Sequence, residues 1–422
     1  MMKKWKHYPL LRSFSIYMLS NVTNAGLPFL LLPILTVYLT QRDYGVITNL
    51  TALLMLSIPL VEMGLTPAVT RQYVKKNVDT GKYLSTGVMA SILNALVLSA
   101  LIVVFSGWIS TYTYVSQPFI VMAGAYSFFH VLSELLLTIW RMEDRPVRYG
   151  IFRTVKIIFD ISLSLHLIIG LGYGWEGRAY GMIGACIVSG LVAGFLLWKS
   201  GYLRLSFNRS YLSHLLAFGL PVIPHTISGI FISYSDKLII TNMLSVEESG
   251  VYSVAFTIGM ALGLLVNSFN QAWVPWLYEK LESGREEDKV QIVKITYVYF
   301  LVITGLALLL GLSAPLIYKV IGQDFAGGMG IVIWVSMGFA FNGMYKMVVN
   351  YLFYAEKTQL VALSSIIAAC ANIFLNLSLI PIYGITGAAM ATLLAFFLQF
   401  IMVWIFASRT IEMPWVFWKM NK

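Results

Sequence analysis

The sequence predicts an all-α integral membrane protein, on the basis of its composition, its apolar runs and the placement of its charges. Of the 422 residues, 58% are hydrophobic and 11% are charged, whereas soluble domains carry about 25% charged residues. Runs of the roughly 17 to 25 apolar residues that cross a bilayer recur along the chain. The net charge of +10 comes from Lys and Arg between these runs, which indicates membrane topology rather than nucleic-acid binding.

The apolar runs predict about twelve transmembrane helices. The first six lie near residues 13–39, 46–68, 85–107, 116–140, 150–171 and 178–198, and the second six near 212–241, 250–276, 292–316, 328–354, 359–380 and 384–407. The first run follows Lys3, Lys4, Lys6 and Arg12 and has no clear small-residue cleavage site after a short apolar core. It is therefore predicted to be an uncleaved helix and not a signal peptide.

The distribution of Lys and Arg supports this count, because cytoplasmic loops hold the excess of basic residues. With the N-terminus inside, most of the 29 basic residues fall in cytoplasmic segments, among them Arg71, Lys75, Lys76, Lys82, Arg141, Arg145, Arg148, Lys280, Arg285 and Lys289. Arg42, Arg178 and Lys319 fall on the outer side. Both termini are therefore predicted to be cytoplasmic.

Two pairs of similar segments indicate an internal duplication. The segment 39–46 resembles 244–251 at an offset of 205 residues, and the Tyr-Gly-x-x-Gly-Ala segment 180–185 recurs at 383–388 at an offset of 203. Six helices per copy give both copies the same orientation, an architecture of transporters that bind substrate between the halves. The sequence thus predicts an N-terminal lobe at 1–205 and a C-terminal lobe at 206–422.

Helix-breaking residues occur in the first helix of each predicted lobe. Gly26, Pro28 and Pro33 lie in the first helix, and Gly219, Pro221 and Pro224 lie in the seventh. Interrupted helices in corresponding positions are typical of substrate sites in transporters. Gly and Pro are also common in membrane helices without such a role.

Several segments resemble the Wzx-type polysaccharide and O-antigen flippases of the multidrug, oligosaccharidyl-lipid and polysaccharide exporter superfamily. The stretch 233–244, which begins Ser-Tyr-Ser-Asp-Lys, and the following 248–255 resemble the region between the seventh and eighth helices of that family. Asp43-Tyr44-Gly45 resembles the matching element of the first half. The Tyr-Gly-x-x-Gly-Ala segments resemble the entries to the sixth and twelfth helices.

This resemblance implies two six-helix lobes in a V shape around a central cavity. It also implies a flippase in the bacterial inner membrane that moves an undecaprenyl-diphosphate-linked oligosaccharide to the periplasmic leaflet by alternating access, for O-antigen, capsule or exopolysaccharide synthesis. No enzymatic activity, cofactor or metal site is expected, although transport could be coupled to an H⁺ or Na⁺ gradient. The expected partners are the lipid-linked oligosaccharide, the bilayer and polysaccharide polymerase or chain-length proteins, and the expected state is a monomer.

Ionisable residues inside membrane helices are candidates for function, because insertion costs them about 2.5 to 3.5 kcal/mol. In the fifth helix Arg153, Lys156 and Asp160 share one face and lie close to the cytoplasmic basic cluster. Paired cations suit a diphosphate. Alternatively, Arg153 reaches the interface and Asp160 neutralises Lys156.

Polar stripes on two further helices are candidates for binding the sugar. In the tenth helix Asn342, Lys346 and Asn350 recur every four residues, and Lys346 lies about 13 Å from the turn at Ala355 at 1.5 Å per residue. In the eighth helix Asn267, Asn270 and Gln271 share a face. Contacts between neighbouring helices are the alternative explanation for both stripes.

Coupling or gating is the predicted role of a third group, because a buried carboxylate can couple charge to motion. Its members are Asp160, Asp236, Lys237, Glu62 and Glu134. Each carboxylate could instead neutralise a basic neighbour. The lone cysteines Cys186 and Cys370 and the scattered histidines give no metal-binding spacing.

Three other classes of protein are alternatives, and the sequence disfavours two of them. A cation-coupled multidrug or metabolite antiporter of the same superfamily would also have twelve helices in two lobes. A membrane enzyme such as a polymerase or acyltransferase is disfavoured, since the longest outer connections have about ten residues and no nucleophile, nucleotide or metal motif. A major-facilitator transporter is disfavoured because the basic Gly-rich motif of that fold is absent from the 71–82 connection.

Overall fold

The computed structural model describes residues 31–73, 78–204, 206–220, 222–355 and 357–415, together with Gly26 and Phe29. In the helix that begins at Val222, the surroundings of Gly229 and six side chains also lie outside the description, those of Val222, Pro224, His225, Ser228, Ile232 and Ser233. Within these ranges the chain forms helices and connections without a strand. The predicted all-α membrane fold is confirmed.

The helices from the N-terminal part are α1 (residues 31–38), α2 (Gln41–Glu62), α3 (Leu65–Tyr73), α4 (Thr80–Thr113), α5 (Gln117–Val121), α6 (Ala123–Met142), α7 (Pro146–Leu165), α8 (Gly174–Lys199) and α9 (Arg209–Gly219). A π-helical turn, His166–Gly170, follows α7. The remaining helices are α10 (Val222–Met243), α11 (Val246–Ser283), α12 (Glu286–Ile321), α13 (Val332–Tyr354), α14 (Thr358–Tyr383) and α15 (Ile385–Thr410). A 3₁₀ helix, Gln323–Ile331, precedes α13.

Each predicted span from the second to the twelfth contains a described helix. Eight helices in the described ranges are long and apolar enough to cross a membrane, so the count of twelve stays a prediction. Most of the predicted first span, including Pro28, and the basic residues Lys3, Lys4, Lys6, Arg12, Lys75 and Lys76 lie outside the described residues.

The predicted helix breaks differ between the two lobes. The seventh predicted helix is broken, because α9 ends at Gly219 and α10 begins at Val222, with Pro221 outside the described residues. The prediction of a break at Pro33 was wrong, because α1 continues through it and Thr36 donates to the carbonyls of Leu32 and Pro33.

An unpredicted break divides the second span. Met63 and Gly64 have φ values of 47° and 67°, so α2 ends at Glu62 and α3 begins at Leu65. A Cβ on Gly219 would lie 1.8 Å from the Met63 carbonyl oxygen, so only glycine allows this close approach. The break between α2 and α3 therefore packs against the end of α9.

The first pair of similar segments consists of helix N-caps. The Thr40 side chain accepts from the backbone N–H of Asp43 and Asp43 accepts from the Thr40 backbone N–H, which closes a capping box at the start of α2. At the start of α11, the Ser245 side chain accepts from the Glu248 N–H. The local similarity has a shared physical cause, while the internal repeat itself stays a prediction.

The contacts divide the chain into two compact units. One comprises the described residues up to Leu31 together with Tyr38–Ile230, and the other comprises Leu32–Val37 and the described residues from Phe231 onward. This boundary lies inside α10, whereas the predicted lobes meet between 205 and 206. Helix α9 belongs to the first unit because it packs on α3 and α4, where His214 contacts Gln72 and Tyr83 at 2.8 Å and 3.0 Å.

Each unit has its own apolar core. In the first unit α6 packs on α2, α4 and α8, with Leu84, Leu135 and Leu197 fully buried. In the second unit α13 packs on α11, α12 and α15, and Tyr351 and Leu277 are fully buried. These cores hold the polar side chains of α7, α8, α11 and α13 in place.

Candidate functional site

The three predicted charges of α7 have separate partners. Arg153 donates to the Tyr149 hydroxyl at 2.8 Å, and its guanidinium lies 5.9 Å from the Tyr149 ring centre. Asp160 forms an ion pair with Arg178 of α8, with N–O distances of 2.5 Å and 3.3 Å. The predicted common face therefore separates into an Arg–Tyr pair, an ion pair and Lys156.

The partner of Asp160 is set by the close packing of α7 and α8. A Cβ on Gly181 would lie 2.0 Å from the Ser164 hydroxyl, so glycine lets the two helices approach at this level. Arg178 lies one turn before Gly181 and donates to both Asp160 and Ser164. Sequence reasoning assigned Arg178 to the outer side and considered Lys156 as the partner of Asp160, so the pair across two helices was missed.

Of the three predicted charges, Lys156 is the one without such a contact among the described residues. Among the described residues, no hydrogen bond or ion pair joins Lys156 to another side chain. It lines a cavity together with Arg148 and apolar residues of α7 and α8. A half-buried cation next to apolar side chains is a candidate anion-binding group.

The two carboxylates predicted on α2 and α6 have different surroundings. Glu62 accepts from the backbone N–H of Thr66 at 3.2 Å and thereby caps the start of α3. Its structural role follows from the break at Met63 and Gly64, which hydropathy did not predict. Glu134 lies half-buried on α6, where it is an electrostatic neighbour of Glu62 and His130.

In the second unit, the predicted stripes on α11 and α13 meet. Lys346 donates a short hydrogen bond to the Asn267 side chain, and Asn350 donates to the Asn270 side chain at 2.8 Å. Neither Asn342 nor Gln271 has a hydrogen bond to another described residue, and Gln271 is exposed. Two side-chain hydrogen bonds, or rungs, thus join α11 and α13, and the amides of Asn342 and Gln271 stay available to a ligand.

Asp236 and Lys237 occupy a buried polar cluster on α10. Asp236 is fully buried and accepts from the Tyr252 hydroxyl at 2.5 Å and from the Lys237 backbone N–H at 2.8 Å. The Lys237 ammonium lies 4.1 Å from the centre of the Phe256 ring and 4.5 Å from that of Tyr234. These cation–π contacts offset part of the cost of burial.

Two residues next to this cluster were missed as functional candidates. Tyr252 was part of the family-like segment but was not assigned a role, although it is the nearest partner of Asp236. Asn372 of α14 is fully buried and accepts from Ser235 and Asn376. The sequence signal was available, since polar residues at 372 and 376 share one face of an apolar helix. In the described part of the chain, no group of His, Cys, Asp and Glu could hold a metal ion.

The bundles of apolar helices with buried polar residues define a multi-pass, all-α membrane protein with the fold of a transporter. The profile of the family described as polysaccharide biosynthesis protein matches residues 10–280. The chain belongs to this family, and the predicted similarity to polysaccharide flippases of the multidrug, oligosaccharidyl-lipid and polysaccharide exporter superfamily is confirmed.

Two relatives agree with this assignment. The chain is 24% identical over 397 residues to a Haloferax volcanii protein named "Probable low-salt glycan biosynthesis flippase Agl15", a match that covers 92% of this chain and 81% of the relative. A second H. volcanii protein, "Probable flippase AglR", is 25% identical over 364 residues, which cover 81% of this chain and 72% of the relative.

Solved structures show the same fold at low sequence identity. The lipid II flippase MurJ in an inward closed conformation aligns with a TM-score of 0.73 and 16% identity, over 92% of this chain and 87% of MurJ. An inward-facing multidrug resistance MATE family transporter aligns with a TM-score of 0.66 and 14% identity, over 93% and 94% of the two chains. At these identities the similarity establishes the fold alone.

Proposed function

We propose that the protein flips an undecaprenyl-diphosphate-linked oligosaccharide repeat unit from the cytoplasmic to the periplasmic leaflet by alternating access. The family match over residues 10–280 carries this proposal. The route serves surface polysaccharide synthesis, as O-antigen, capsule or exopolysaccharide, in the bacterial inner membrane. The protein acts as a transporter and not as an enzyme, with both termini in the cytoplasm.

The polar groups of the two units suit different parts of this substrate. Lys156, with no hydrogen-bond or ion-pair partner among the described residues, is proposed to bind the diphosphate, and Arg153 is proposed to attract it to this face of α7. Asn342 and Gln271 carry amides that can donate to and accept from sugar hydroxyls. Lys346, Asn267, Asn270 and Asn350 support these amides through the contacts between α11 and α13.

A deletion strain tests the proposed function. Loss of the gene is expected to remove the surface polysaccharide and to accumulate undecaprenyl-diphosphate-linked repeat units on the cytoplasmic face. The wild-type gene should restore export. Unchanged polysaccharide in a strain without a second flippase would refute the proposal.

A cation-coupled antiporter is the second candidate, and Asp236 is the observation that favours it. A fully buried carboxylate bonded to Tyr252 can exchange a proton or a cation as the protein changes conformation. Cation-dependent efflux of small amphipathic compounds, with normal polysaccharide in the deletion strain, would establish this alternative. If flipping is coupled to an H⁺ or Na⁺ gradient, Asp236→Asn should remove the dependence on that gradient.

A further inference from the structure

An elongated groove lies between α7 and α8 in the first unit, with Trp140 of α6 at one end. It has a volume of about 590 Å³, within the range of about 300 to 1,000 Å³ that is typical of small-molecule sites. The lining residues of α7 recur every three or four positions from Arg148 to Phe159, so they form one stripe about 16 Å long. Its dimensions suit an extended hydrocarbon chain.

The walls of the groove are apolar and open. Ile151, Val155, Phe159, Val188 and Val192 are each between 40% and 60% exposed. At one end Trp140 packs edge-to-face against Phe152, with ring centres 5.8 Å apart. The lining residues of α8 also recur every three or four positions, so the groove runs between one helical stripe on α7 and one on α8.

Two cations stand on this apolar surface. Arg148 and Lys156 are eight residues apart on the same stripe of α7, about 12 Å along the helix axis. Neither has a hydrogen bond or an ion pair with another residue in the described ranges, whereas Arg153, Asp160 and Arg178 of the same two helices all do. The long stems of Arg and Lys let the two heads converge on one anion.

We propose that this groove binds the lipid part of a polyprenyl diphosphate, with the isoprenoid chain between α7 and α8 and the diphosphate between Arg148 and Lys156. A single groove fits one chain better than the two chains of a diacyl phospholipid. Two cations also match the several charges of a diphosphate better than the single charge of phosphatidylglycerol. The assignment rests on the proposed function and adds where the lipid part of the substrate is held.

Photo-crosslinking of the full-length protein in phosphatidylcholine nanodiscs tests the groove. The probe is undecaprenyl diphosphate that carries a photoreactive group on its chain and no sugar. Crosslinks are expected on α7 and α8 peptides that line the groove, with competition by unlabelled undecaprenyl diphosphate. Equal competition by phosphatidylglycerol would overturn the assignment and indicate a general anionic-lipid site, and crosslinks confined to other helices would also overturn it.

Charge and volume variants sharpen the test. The double variant Arg148→Gln, Lys156→Gln should weaken probe binding at least roughly tenfold, since hydrogen bonds to charged groups are lost. Val155→Trp should fill the groove and reduce crosslinking with both charges intact. The matched controls are Lys199→Gln at the end of α8 and Val104→Trp on the exposed surface of α4, which should bind as the wild type does. Unchanged binding in the double variant and in Val155→Trp would refute the site.

A separate transport assay distinguishes this inference from the proposed function. If the wild type restores polysaccharide export and the groove variants bind the probe and export equally well, the groove assignment fails and the flippase function stands. The opposite outcome is that the wild type binds the probe in the groove while deletion of the gene leaves the amounts of polysaccharide and lipid-linked intermediates unchanged. In that case the proposed function fails and the groove remains a polyprenyl diphosphate site.

Discussion

Two lysines within apolar helices, one in each unit, have opposite surroundings. Lys346 of α13 donates to Asn267 of α11 and stands beside a second rung formed by Asn350 and Asn270. Lys156 of α7 lines an apolar groove and has no hydrogen bond or ion pair within the described chain. A cation satisfied by a neighbouring helix contributes to the fold, whereas one without such a contact needs water or a ligand. The comparison separates charges that build the bundle from charges that are free to act.

Asp236 is a third charge inside an apolar helix, and it is fully buried and hydrogen-bonded. Its substitution is expected to have the largest effect on stability. Asp236→Ala removes the acceptor of the buried Tyr252 hydroxyl and leaves a buried lysine beside it. A buried donor left without its acceptor costs about 1 to 3 kcal/mol, and the loss of the adjacent negative charge makes burial of Lys237 less favourable. The thermal midpoint of this detergent-solubilised variant should fall strongly. The midpoint of Asp236→Asn should fall less, because asparagine keeps an acceptor for the Tyr252 hydroxyl.

An exposed carboxylate supplies the control for Asp236. Glu287→Ala at the start of α12 should leave the thermal midpoint unchanged, because that side chain is exposed. A loss of midpoint in Glu287→Ala as large as in Asp236→Ala would show that the buried cluster has no special role.

A matched pair of lysine substitutions tests the comparison directly. Lys346→Met removes the donor to Asn267 and should lower the free energy of unfolding by about 1 kcal/mol. Lys156→Met removes from an apolar surface a charge that has no hydrogen-bond or ion-pair partner among the described residues, so it should leave stability unchanged or raise it. Thermal unfolding of both variants in one detergent measures the difference, with Lys199→Met as the surface control. The same loss from both variants would contradict the distinction.

The helix caps of the two units should give effects no larger than that of Lys346→Met. Thr40→Ala and Ser245→Ala each remove a side-chain acceptor for the N–H of Asp43 or Glu248. Each should cost about 1 kcal/mol, which is typical of an N-cap. Thr111→Ala on the exposed part of α4 is the control, because within the described chain its hydroxyl donates to the Gly107 carbonyl of the same helix. A loss of stability in only one of the two cap variants would contradict a shared capping role for the two similar segments.

Much of the helical layout could be predicted, because apolar runs report burial in the bilayer or the core wherever they are long. The fifth predicted helix at 150–171 and the tenth at 328–354 correspond to α7 and α13 with their flanking turns. The breaks were harder to predict. Helix α1 continues through Pro33, whereas α2 ends before Met63 and Gly64, which have positive φ values. This break packs closely against Gly219, a contact between helices that the sequence of one helix does not report.

The candidate residues were identified correctly as polar groups in apolar helices, but their partners could not be predicted. Asn267 and Lys346 lie 79 residues apart in sequence, and Asp160 and Arg178 lie on different helices. Helical spacing relates residues on one helix and says nothing about which faces of two helices meet. For this reason Arg178 and Tyr252, which contact predicted site residues, were not on the list of candidates.

The amino-acid sequence by itself determined that this is an all-α membrane protein with rare charges inside apolar helices, because the cost of burying polar groups in lipid constrains composition and run length. The tertiary structure decided which of those charges the protein satisfies. Packing of α7 on α8 pairs Asp160 with Arg178, and packing of α11 on α13 pairs Lys346 with Asn267. Lys156 and Arg148 remain on an apolar groove, since no acceptor on a neighbouring helix reaches them in the described structure.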